Sequence, residues 1–222
     1  MSTMAQFRLL VSLLTYSSVV PLAAWAVNRW TDRYRREPWM GLLGGLYLFD
    51  CWTTAVMSIL SFLGKPNNWF MTLNTPVGLV FAMMLLQGWT PHPRTRWIYR
   101  ALLALGLIAA ASSALILGIS QRNTAYIVLQ DLLVTVPCLV ELNRLLRSDQ
   151  PEPLDGTPLF WVLAAWATFH VSSLLFHCLA SFFLRALHPP LLYIPWVVYG
   201  CIILISNLLA ARAFRCPNPR SS

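Results

Sequence analysis

The stretch RWTDRYRREPWMGLLGGLYLFDCWTTAVMSILSFL, residues 29–63, joins an arginine cluster (Arg29, Arg33, Arg35, Arg36) to a run from 41 to 63 in which Asp50 is the one charged side chain. A helix over that run is about 34 Å long, enough to cross roughly 30 Å of hydrocarbon. A water-exposed helix of the same length would need a polar face, and this run has none. The stretch therefore reads as a polar junction feeding a transmembrane helix.

The same alternation continues along the chain. Apolar runs predict helices near 7–28, 41–63, 69–88, 98–118, 124–143, 158–183 and 190–211. The breaks between them have physical causes. Residues 28–38 are charged and end in proline, Gly64-Lys65-Pro66-Asn67-Asn68 is a turn, and Thr90-Pro91-His92-Pro93 is incompatible with a helix interior. Gln121-Arg122-Asn123, residues 148–156 and His188-Pro189-Pro190 supply the others. The expected fold is an all-α membrane protein: a single seven-transmembrane-helix domain over residues 1–222. The totals agree, with 57% hydrophobic residues, 11% charged and a mean hydropathy of +0.60, against about 25% charged in a soluble domain.

Loop charge orients the bundle. Arg29, Arg33, Arg35, Arg36, Arg94, Arg96, Arg100, Arg144, Arg147, Arg212, Arg215 and Arg220 fall on one side, and Arg8, Lys65, Arg122 and Arg185 on the other. Cytoplasmic loops carry the excess of Lys and Arg, so the N-terminus is expected outside and the C-terminus in the cytoplasm of a multi-pass inner-membrane protein. The net charge of +8 then serves topology and anionic membrane lipids; no basic stripe with interleaved aromatics suggests nucleic acid. Trp30, Trp39, Trp69, Trp89, Trp97 and Trp161 lie near predicted helix ends, where interfacial aromatics belong. The first run lacks an A-x-A-like site and reads as a retained helix.

Cys51, Cys138, Cys178, Cys201 and Cys216 show no ligand or disulfide spacing and read as small core residues. Pro21, Pro76, Pro137 and Pro195 fall in the odd-numbered predicted helices, an arrangement compatible with the 3+1+3 repeats of some small transporters.

Ionisable groups within apolar helices are costly and mark function or specific pairing. Asp50 lies near the middle of the second helix, Asp131 in the outer half of the fifth, and His170 and His177 two turns apart on one face of the sixth. Asn74 and Gln130 fall in the same layer. These six are the expected ligand-binding residues, in a polar cavity open to the outside. The hydroxyls of that layer read as interhelical hydrogen-bond partners, and Glu141 as a near-surface partner of Arg144 or Arg147. The histidine spacing does not suit zinc, and no cofactor is expected. Lys65, the one lysine, is in a loop, which excludes a retinal Schiff base within the bundle; the usual hydrolase motifs are missing as well.

Asn68-Trp69, Thr157-Pro158-Leu159-Phe160-Trp161 and residues 191–196 followed by Asn207 give the chain a resemblance to an uncharacterised family of seven-helix membrane proteins of Bacteroidota. Its members tend to be encoded near sensor histidine kinases, which implies a receptor or accessory role in signalling with a kinase or other membrane protein as partner. Asp50 and Asp131 are also similar to the two aspartates of lysoplasmalogenase-type membrane hydrolases, implying acid–base hydrolysis of a lysolipid. A non-enzymatic sensor for a small or lipidic ligand is the leading expectation; a small transporter comes second and the hydrolase third.

Overall fold

The computed structural model describes residues 14, 16–30, 38–66, 68–118, 124–147, 153–186 and 193–216. Among them it is all-α, with seven α-helices: α1 Val19–Trp30, α2 Pro38–Phe62, α3 Asn68–Trp89, α4 Pro93–Leu117, α5 Thr124–Arg147, α6 Pro158–Ala186 and α7 Tyr193–Ala213. Five are long and apolar enough to cross a membrane, in α2, α4, α5, α6 and α7, so the chain is a multi-pass membrane protein. Residues 7–13 and 15 of the expected first helix and 190–192 of the expected seventh lie outside the described residues.

Helix ends follow local chemistry rather than the edge of the apolar run. α4 starts at Pro93, not near 98, because proline is preorganised for a first helical turn. α5 continues to Arg147 instead of stopping near 143, since Leu, Asn and Arg continue a helix after hydrophobicity ends. α2 is closed by Gly64 at φ 66°, with Lys65 N–H donating to the Leu60 carbonyl and Gly64 N–H to that of Ser61. This is the Schellman termination, which favours glycine at the left-handed position.

The helices form a ring in the order α1, α2, α3, α5, α6, α7, closed by packing of α7 on α1. α4 lies outside it against α3 and α5, with the least buried of the apolar spans. Two close approaches depend on missing Cβ atoms: Gly44 of α2 receives the Trp25 indole of α1, and Gly106 of α4 receives Leu79 of α3.

The apolar core has one location. It takes Met40, Leu43 and Tyr47 from α2, Leu79 to Leu86 from α3, Leu133 to Cys138 from α5, Val162 to Trp166 from α6, and Ala210 to Phe214 at the end of α7. Every one of these groups lies toward the arginine-rich helix ends. The fully buried core stops about one turn short of Asp50, Asn74 and His170 on their helices and reaches Leu133, two residues from Asp131, on α5. An aromatic contact closes its base, with Trp39 5.8 Å from Trp89 and 6.3 Å from Phe214. The interfacial tryptophans fall where expected, Trp30 and Trp89 ending helices and Trp39, Trp69, Trp97 and Trp161 near helix starts. Two cysteines do not fit the core reading: Cys178 and Cys201 are exposed, because their helix faces point away from the ring.

Candidate functional site

Beyond the apolar core the six ring helices contribute polar groups, and the structure joins them in three sets. The first set couples α5 to α6. Asp131 is 3% exposed, and its Oδ1 lies 2.8 Å from His170 Nδ1. Its Oδ2 has no hydrogen-bond partner among the described residues; the same holds for Gln130 Oε1 and Thr135 Oγ1, both also buried. Asp131 and Thr135 are four residues apart and share a helix face, while Gln130 turns its amide toward Gly78 of α3. Three oxygen atoms on little more than one turn of α5 are thus without described partners.

A second set ties α1, α2 and α3. Pro21 has no N–H to offer the Ser17 carbonyl, and the chain just before it tightens to a 3-10 turn at Tyr16–Ser18. That turn presents two buried serines. Ser18 hydrogen-bonds the Asp50 carboxyl and lies 3.4 Å from Cys51 Sγ; Ser17 accepts from Asn207 Nδ2 of α7 at 2.8 Å. One turn beyond Asp50, Thr53 donates to the Asp50 carbonyl at 2.8 Å and accepts from Asn74 Nδ2 at 3.4 Å. Asp50 and Asn74 therefore belong to one polar string, while Asp131 faces α6. No described hydrogen bond joins the two carboxyls into an acid–base dyad.

The third set joins α6 to α7. Tyr199 donates to Ser173 Oγ at 3.3 Å and stacks on Phe176 at 4.6 Å. Buried His177 lies 6.3 Å from the same ring, and Phe169, next to His170, lies 6.4 Å from it. An aromatic wall runs outward from the Asp131–His170 pair.

Glu141 requires a correction. It is buried rather than near the surface, and its Oε1 accepts from Tyr99 at 2.6 Å and from Thr90 at 3.0 Å. Arg144 is its charged neighbour, at 3.7 Å. The carboxylate therefore knots the end of α3 and the start of α4 to α5, because a buried charge needs several donors. The four prolines lie in the odd-numbered helices as expected, but only Pro76 and Pro137 sit in helix interiors, whereas Pro21 and Pro195 are the third residues of α1 and α7.

Several partners were not evident from the sequence. Trp166 donates its indole N–H to the Tyr47 hydroxyl across the ring, and Ser206 donates to the Ala165 carbonyl at 2.8 Å. Asn207, a lone amide in the apolar run of α7, was the legible signal for the α1–α7 contact. No group of three or more His, Cys, Asp or Glu among the described residues is arranged to hold a metal ion. No family model, curated protein or solved structure matches the chain.

Proposed function

We propose that this protein is a non-enzymatic sensor or signalling-accessory bundle of the cytoplasmic membrane, crossing it seven times with the N-terminus outside and the C-terminus in the cytoplasm. Its ligand is small or lipidic and binds in the polar half of the bundle, beside Asp131 and His170. The arginine-rich inner face docks a second membrane protein, such as a histidine kinase, consistent with the resemblance drawn from the Asn68-Trp69 and Thr157 to Trp161 segments.

The observation that carries this reading is the construction of α5. One end holds the Asp131–His170 pair, with a buried carboxyl oxygen that has no partner among the described residues. Ten residues on, about 15 Å along the axis, Glu141 fixes the same helix to α3 and α4. Pro137 lies between them and removes one backbone hydrogen bond, a site where helices bend. A contact made at Asp131 changes the tilt of the outer half of α5 and loads the Glu141 knot at the inner face.

The test is native mass spectrometry of the chain released from its own membranes. A small molecule is expected to accompany the wild type and to be lost from Asp131→Ala and His170→Ala variants that still insert. Equal retention by both variants would sink the site.

One observation favours a second reading, a small transporter: the broken entry to α1 places a 3-10 turn against Asp50, and interrupted helices line substrate sites in many transporters. Asp50-dependent uptake into proteoliposomes would establish it.

A further inference from the structure

We infer that the ligand of the Asp131 site is an organic cation, a protonated amine or ammonium group carried on an apolar or aromatic body. This deepens the ligand-site reading above and rests on it.

Charge is the first argument. The polar half of the bundle holds two carboxyls, Asp50 and Asp131, while the arginines of the described helices lie toward the opposite, arginine-rich ends, apart from Arg185 in the last turn of α6. A buried carboxylate needs a counter-charge or several donors, and among the described residues Asp131 has one polar partner, the imidazole of His170, on one of its two oxygens. Glu141 shows how this chain satisfies a carboxylate that has only a structural role, with two hydroxyl donors on one oxygen and an arginine near the other. Asp131 is equally buried and lacks that provision.

The second argument is the kind of atom left without a partner. Asp131 Oδ2 is a carboxyl oxygen that accepts hydrogen bonds, and Thr135 Oγ1 on the same face of α5 can accept or donate. An anionic headgroup would face repulsion at a carboxylate, and a purely apolar ligand would leave Oδ2 unsatisfied. An ammonium group donates to Oδ2 and supplies the missing charge.

The third argument is the wall. Phe169, Phe176 and Tyr199 continue outward from His170 as a contiguous set of rings. Ring faces attract cations and accommodate apolar bodies.

A matched trio tests this in the full chain reconstituted in nanodiscs: 2-phenylethylamine, 2-phenylethanol and phenylacetate share one ring and differ in charge. The amine is expected to raise the unfolding temperature saturably, and the alcohol and the acid are not. Asp131→Asn, which keeps shape and removes charge, is expected to weaken the amine by about 10- to 100-fold, the loss of a charge-assisted contact. Asp155→Asn, exposed in the turn before α6, is expected to leave it unchanged. If the alcohol or the acid stabilises the wild type as well as the amine does, and does so through Asp131, the cation inference fails while the ligand site stands. A saturable amine effect retained in Asp131→Asn, or no effect of the amine at all, also overturns it. The wild-type comparison among the three probes needs no variant to fold.

Discussion

Removing His170 probes the seam between α5 and α6 most sharply. Asp131 and His170 meet at 2.8 Å, both largely buried, and the other Asp131 oxygen has no described partner. His170→Ala therefore leaves a buried carboxyl with neither oxygen satisfied. In soluble proteins a hydrogen bond to a charged group contributes about 1.5–3 kcal/mol. Interhelical bonds in a bilayer average about 0.6 and reach about 1.7 kcal/mol, because the unfolded helices also find partners. A charge-assisted bond at this distance belongs near the top of the membrane range, giving an expected coupling of about 1.5 kcal/mol. A double-mutant cycle of Asp131→Ala, His170→Ala and the double variant isolates that value, with unfolding followed by steric trapping in bicelles. A coupling below about 0.5 kcal/mol would place the pair among ordinary interhelical bonds and refute the reasoning that singles it out.

Other consequences follow from particular contacts. Glu141→Ala strands the hydroxyls of Tyr99 and Thr90 and is expected to cost about 2–4 kcal/mol, more than Thr90→Ala or Tyr99→Phe alone, by the same unfolding assay. Gly44→Val forces a side chain into the Trp25 indole, with an expected destabilisation of about 1–3 kcal/mol and a shift in Trp25 fluorescence; an unchanged spectrum would contradict the packing of α1 on α2. Alkaline phosphatase fused after Lys65 or Arg122 is expected to be active, and fused after Arg147 inactive, with the reverse pattern contradicting the proposed orientation. Cys216, just beyond α7, is buried beside the Asp155 carbonyl. Burial pushes its thiol up to about 11, and Arg212 offsets this only partly. The thiolate is then about a thousandth of the total at pH 8, so maleimide labelling should be slow and rise about tenfold per pH unit until near 11; a rate already level at pH 9 would show the thiol to be unperturbed.

Where helices lie was legible because lipid leaves little freedom: long apolar runs and proline or glycine breaks place α2, α3 and α6 to within a few residues of their observed ends. The start of α4 and the end of α5 differ from the apolar runs because helix propensity does not stop where hydrophobicity does. Asp131, His170 and Gln130 were legible as costly residues in apolar surroundings, but their pairing was not. Sequence depth put Asp50 level with His170, whereas the ring order α1, α2, α3, α5, α6, α7 brings α5 against α6 and leaves Asp50 to the serines of α1. Periodicity gives depth along a helix and says little about which neighbour a face meets. The pairing of Glu141 with Arg144 was legible in their spacing, but its burial was not: the donors that bury it, Thr90 and Tyr99, belong to α4 and the turn before it, and nothing in residues 138–147 announces them.

The ligand site beside Asp131 is tested most directly by a high-resolution structure of the chain purified from its own membranes into nanodiscs. Density for a bound molecule is expected between α5 and α6, with a donor group within hydrogen-bond distance of Asp131 Oδ2. A seam in which that oxygen is met by a side chain of the protein itself, with no room for a ligand, would contradict it.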